Sequence, residues 1–126
     1  MDAALADEIV GAVRSFVQRS VLPVASELEH ADAFPADLVA TMAEMGLFGC
    51  TIPPEFGGLG LDVGTYARVV EELSAGWMSL TGVVNTHTMA ATLIRLHGTD
   101  EQKTGLLPRM ATGEVRGALS LSEPDA

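Results

Sequence analysis

Gly113-Glu114-Val115-Arg116-Gly117-Ala118-Leu119-Ser120-Leu121-Ser122-Glu123-Pro124 runs on a period of two, with Val115, Leu119 and Leu121 alternating against Arg116, Ala118 and Ser120. Alternation of that kind reads as a β-strand. Every segment before it reads as helix or ordered loop, so the strand finds no neighbour to take its row of N–H and C=O groups. A lone strand is not stable in water. The expectation is an all-α segment, a helical bundle over residues 1–113, entering a β domain whose first strand is 114–126 and whose remainder lies elsewhere.

Working back from that strand, Thr99-Asp100-Glu101-Gln102 is a capping box, Thr99 as N-cap and Gln102 reaching back from the third helical position. Pro108 is expected to bend one short helix into another before Gly113 stops it. Residues 78–96 are apolar nearly all round, with Thr81, Gly82, Asn85, Thr86, Thr88 and Thr92 scattered through them. Such a helix is expected to be buried on most sides, its polar groups satisfied by neighbouring helices or by a ligand in a pocket it lines. The helix before it starts at an Asp62 cap and carries Val63, Tyr66, Ala67, Val70, Leu73 and Trp77 as an inward stripe, with Glu71 and Glu72 on the solvated side.

Residues 47–61 hold two prolines and four glycines yet are largely apolar, which predicts an ordered, packed loop. Its Gly57-Gly58-Leu59-Gly60 lacks the lysine of a P-loop and reads as a turn allowing close backbone approach. Ahead of it, Phe34-Pro35-Ala36-Asp37 starts a helix with proline at the first helical position and Asp37 in the first turn. Leu38, Met42 and Met45 then face inward, and Gly46 follows the end. The first helix is amphipathic through Leu5, Ile9, Ala12 or Val13 and Phe16, and Pro23 is expected to kink or interrupt it.

Composition bounds the function. With 126 residues, 48% hydrophobic and 19% charged, the chain can build one core. Its 17 acidic and 7 basic residues give a net charge of −10, which argues against nucleic acid or an anionic membrane as partner. The tract 80–96 contains Asn85, His87, Arg95 and four threonines, too polar for a lipid-facing span. The N-terminal residues are acidic where a secretory signal is basic, which suits a cytoplasmic location. Cys50 is the single cysteine, without a neighbouring cation to activate it, and reads as a small buried residue. His87 and His97 stand about 15 Å apart along a helix and His30 is remote, so the three histidines read as structural or surface residues and not as metal ligands.

Unaided, these residues name no reaction. The order of segments, however, resembles the acyl-CoA dehydrogenase family over nearly the whole chain. The resemblance is carried by Phe34-Pro35, by Gly46-Leu47-Phe48-Gly49 with Ile52-Pro53-Pro54-Glu55-Phe56-Gly57-Gly58-Leu59-Gly60, by Glu71-Glu72-Leu73, by Gly98-Thr99-Asp100-Glu101-Gln102-Lys103 with Leu107-Pro108, and by Leu121-Ser122-Glu123-Pro124. It implies an N-terminal helical domain followed by a middle β-barrel and a C-terminal four-helix domain. It implies FAD as cofactor and α,β-dehydrogenation of an acyl-CoA thioester, with the catalytic glutamate in the C-terminal domain, so that no glutamate here, Glu123 included, takes that role. Commonly it also implies a homotetramer passing electrons to an electron-transfer flavoprotein. Leu119, Leu121 and Ser122 match the family's flavin-contacting strand, against the plainer view of Ser122 as a strand-end serine bonding nearby backbone. Gly82, Asn85, Thr86 and Met89 match the face lining the acyl tunnel, although a plain core helix explains them as well. The rivals are a non-catalytic helical module lending a pocket wall to another chain, and an acyl-CoA oxidase or flavin monooxygenase on the same fold.

Overall fold

The computed structural model describes residues 2–125. Helix α1 (Ala3–Phe16) is capped by Asp2, whose carboxylate accepts from the Ala4 N–H, and buries Ala6, Val10, Val13 and Phe16. It runs without a break through a π turn (Val17–Val21) into α2 (Leu22–His30), Phe16, Val17, Val21 and Leu22 all keeping right-handed helical angles. Pro23 therefore does not interrupt the helix. It offers no N–H and its ring crowds the carbonyl four residues back, and the wide turn just upstream, closed by the Leu22 N–H on the Val17 carbonyl, absorbs that misfit.

Helix α3 (Ala36–Glu44) begins one residue later than expected, with Pro35 as N-cap and Asp37 in the first turn. Leu38 and Met42 are buried, Met45 only half-buried. Gly46 follows the Met45 cap at φ 76°, the left-handed conformation that glycine adopts without steric cost. Residues 47–62 then fold back on themselves as anticipated: Leu59, Gly60 and Leu61 donate to the carbonyls of Gly49, Ile52 and Cys50 at 2.9, 2.9 and 2.7 Å, and Leu47, Phe48, Cys50, Ile52 and Leu61 are buried. Gly58 makes this closure possible, since a Cβ there would lie 2.0 Å from the Ile52 carbonyl oxygen.

Helix α4 (Val63–Gly76) buries Thr65, Val69 and Leu73, a stripe rotated in part from the expected one, of which Leu73 is buried and Tyr66 and Trp77 pack on the core. Val63 is 81% exposed and Ala67 is exposed, while Tyr66 is half-buried. The rotation follows from the cap: Asp62 accepts from both the N–H and the hydroxyl of Thr65, at 2.8 and 3.0 Å, so this threonine enters the core with its polar groups satisfied. Glu72 also departs from a solvated role, for Arg14 of α1 grips it at 2.6 Å, and Arg68 reaches back to Asp7 at 2.7 Å.

Helix α5 (Met78–His97) buries one face only, through Leu80, Thr81, Val84, His87, Thr88 and Ala91, and leaves Met78, Met89, Leu93 and Leu96 substantially exposed. Helix α6 (Asp100–Ala111) starts at the capping box, Thr99 N–H to Gln102 Oε1 at 2.9 Å and Gln102 N–H to Thr99 Oγ1 at 3.2 Å. It passes through Pro108 as one helix, where two short ones were expected; Leu107, Met110 and Ala111 around the proline are buried and hold it in place.

Helices α1 and α4 pack together, α4 on α5 and α5 on α6. A main core joins α1, the π turn, α3, the loop, α4 and the first half of α5, and a second cluster gathers Ile52, Ala91, Leu107, Met110 and Ala111. Beyond Gly113 the period of two survives as burial, Val115, Gly117 and Leu119 half-buried and Arg116, Ala118 and Ser120 exposed, but no strand ladder forms among the described residues.

Candidate functional site

A cleft of about 770 Å³ opens between the 51–62 loop, the first turn of α4, one side of α5 and Leu119. Its walls are mostly apolar: Pro53, Pro54, Leu61 and Val63 on one side, Met89 and Leu93 on the other. Polar groups are few. The Tyr66 hydroxyl donates to Asn85 Oδ1 at 3.0 Å, and the Asn85 amide lies 3.9 Å from the Met89 sulfur. Thr88 is buried with its hydroxyl unpartnered among the described residues, and so is the Arg95 Nε; both residues line the cleft. An apolar trough with a small polar floor suits an apolar ligand better than a charged one.

Asp62 is the sole carboxylate of this lining. Its oxygens are taken up by the N–H and hydroxyl of Thr65, which hold the carboxyl below the usual carboxylate range. A carboxylate so stabilised is a poor proton acceptor. Burial raises the Tyr66 phenol, so it stays protonated as a donor. Cys50 is 0% exposed and burial pushes its thiol up to about 12, far from a reactive thiolate, as its sequence context suggested.

The structure separates the expected site residues. Asn85, Met89 and Leu119 meet at the cleft. Gly82 is exposed with open space around it and does not line the cleft, and the Thr86 hydroxyl turns back to the Gly82 carbonyl at 2.5 Å. Leu121, 79% exposed, and Ser122 lie beyond the lining. Sequence reasoning placed Tyr66 on the core stripe, where it does pack, and missed its second role at the cleft; Thr88 it named only among the polar residues of a helix that could line a pocket. A pair such as Tyr66 and Asn85, 19 residues apart on successive helices, leaves no spacing signature.

His87 is 1% exposed, edge-on to the Phe48 ring at 5.1 Å and 85°, with Nε2 3.1 Å from the Phe48 carbonyl and Nδ1 3.1 Å from the Gly117 N–H. Burial lowers its pKa, as does the charge of Arg116 nearby.

Residues 5–114 match the family described as acyl-CoA dehydrogenase, N-terminal domain. The chain belongs to the acyl-CoA dehydrogenase family. It is 40% identical over 115 residues to the short-chain-specific acyl-CoA dehydrogenase of Clostridium acetobutylicum, which covers 90% of this chain and 30% of that one. Among solved structures it superposes on glutaryl-CoA dehydrogenase from Mycobacterium smegmatis in complex with FADH2 with a TM-score of 0.87 at 27% identity, over 100% of this chain and 32% of that chain. It also superposes on a chain from a structure of the electron transferring flavoprotein of Acidaminococcus fermentans, with a TM-score of 0.89 at 34% identity, over 96% of this chain and 32% of the other. The chain thus spans about a third of the length of the acyl-CoA dehydrogenase relatives it matches. Its helices are those of the family's N-terminal helical domain.

Proposed function

We propose that this chain is the N-terminal part of an FAD-dependent acyl-CoA dehydrogenase that removes hydrogen across the α,β bond of an acyl-CoA thioester, and that it supplies one wall of the acyl site and one edge of the flavin site. The observation that carries this reading is the cleft: an apolar trough with Met89 in its wall, Asn85 on its polar floor and Leu119 in its lining. FAD, when bound, would accept the β-hydrogen with its electron pair. The residues present fit one edge of such a ring: Leu119 offers an apolar rim, and Leu121 and Ser122 follow it and stand exposed among the described residues.

In this account Val63, Met89 and Leu93 exclude water from the acyl chain, and the Tyr66–Asn85 pair closes the floor without a charge. The proton acceptor comes from outside these residues, since Asp62 is committed to Thr65. An electron-transfer flavoprotein as acceptor, a homotetrameric assembly and a place in fatty-acid metabolism complete this reading. The likeness to a chain of the Acidaminococcus structure supports the first.

The test is kinetic, on the full-length enzyme. Met89→Phe, which narrows the trough, is expected to raise KM for longer acyl-CoAs by about tenfold with kcat for the shortest preserved. Acyl-CoA kinetics indifferent to this change and to Asn85→Leu would take the acyl wall away from this helix.

A further inference from the structure

A carbonyl only accepts and a backbone amide only donates, so the two partners of His87 select one tautomer. The proton sits on Nε2 and goes to the Phe48 oxygen; the Nδ1 lone pair receives the Gly117 N–H, each at 3.1 Å. The bond to Phe48 is what a core histidine needs. The bond to Gly117 reaches past the last helix into a run that has no ladder of its own. Among the described residues the Val115 N–H is held by the Arg109 carbonyl, and beyond it the backbone of this run is hydrogen-bonded by His87 alone.

Gly117 is seated closely at that point: a Cβ on it would lie 2.7 Å from the Ala90 Cβ of α5 and 3.1 Å from the Met110 Cε of α6. Two residues on, a reach of at most about 7 Å, Leu119 lines the cleft.

We infer that His87 is a positioning residue whose Nδ1 pins Gly117 between α5 and α6 and thereby sets where Leu119, Leu121 and Ser122 stand at the edge of the flavin site. The second half of this statement rests on the flavin reading of those three residues; the pin itself does not.

Two substitutions separate the pin from a plain core role. An asparagine amide sits where Nδ1 sits, so His87→Asn keeps an acceptor for Gly117 and drops the Phe48 bond. A glutamine amide reaches the position of Nε2, so His87→Gln keeps the Phe48 bond and drops Gly117. Gly117→Ala displaces the segment with His87 untouched. In the full-length protein, hydrogen exchange over 114–122 and the flavin dissociation constant are measured for all three.

His87→Gln and Gly117→Ala are expected to speed exchange over 114–122 and weaken flavin binding by about five- to tenfold, the scale of one lost hydrogen bond, while His87→Asn stays near wild type in both. The reverse order, with asparagine damaging and glutamine silent, overturns the inference, as does the absence of any effect on the tail. Exchange across α5 checks that each variant folds, and if neither His87 variant does, Gly117→Ala decides. A full-length protein that holds no flavin overturns the functional reading and the flavin half with it, while the exchange pattern still decides the pin.

Discussion

Single atoms decide much of this molecule. Gly58 has no room for a methyl group against the Ile52 carbonyl, and both sides of that contact are backbone, so neither can yield. Gly58→Ala is expected to cost more than about 3 kcal/mol of stability by opening the 47–62 loop, measured as a shift in the urea unfolding midpoint. His87 makes stability pH-dependent. Its folded pKa lies below the ordinary 6.5 because burial penalises the imidazolium, with Arg116 adding to the penalty. The unfolded chain then binds a proton that the folded one refuses. The contribution is complete above 6.5 and is lost as pH falls from there toward the lower folded value. Unfolding midpoints taken between about pH 8 and about pH 5 should fall more steeply for wild type than for His87→Asn, which has no imidazole to protonate; parallel curves would show that His87 takes up its proton as readily folded as unfolded. Residue-level signals of this kind were partly legible. The left-handed Gly46, the Asp62 cap and the Thr99–Gln102 box were readable because each is a local rule with local partners. The two bonds of His87 were not, since they close over 39 and 30 residues.

Elements carried the larger surprises, and each has a physical cause. Helix α4 has apolar residues on two faces, Val69 and Leu73 for the core and Val63 for the cleft with Tyr66 touching both, and periodicity alone drew them into one stripe. Helix α5 reads as apolar all round, yet Met89, Leu93 and Leu96 stay 44%, 45% and 57% exposed, only partly covered by the described residues. Hydrophobicity tells that a face wants cover and not what provides it. The π turn was hidden for a different reason: Pro23 announces a disturbed helix, while the packing of Val17 and Val21 decides that it is widened and not broken. The capping box permits a clean element-scale prediction. Thr99→Ala removes the acceptor for the Gln102 N–H and should destabilise by about 1 kcal/mol, seen as faster hydrogen exchange in the first turn of α6 and little change in α1. Leu73→Ala, by contrast, empties a fully buried position between α4 and the main core and should cost about 2–5 kcal/mol, read from the same unfolding midpoints.

At the scale of the whole molecule, the all-helical body and the ordered loop were legible, and the family could be approached from motif order because six short segments recur in sequence. The cleft was less so: Asn85, Met89 and Leu119 line it together, whereas Gly82 does not and the Thr86 hydroxyl turns back to the Gly82 carbonyl, because a helix face is shared out only when the loop across from it is folded. Among the described residues no helix is long and apolar enough to cross a membrane, and no three metal-ligating side chains gather. What remains is a helical wall with an apolar trough, a small polar floor and an exposed edge at Leu121 and Ser122. The most direct test is an anaerobic titration of the full-length protein with acyl-CoAs of graded chain length while following the visible flavin band. The account predicts a yellow protein whose band bleaches on substrate addition, with a chain-length preference that moves in Met89→Phe. A colourless protein, or a flavin band indifferent to every acyl-CoA, would contradict it and leave the chain as a helical module without its own redox chemistry.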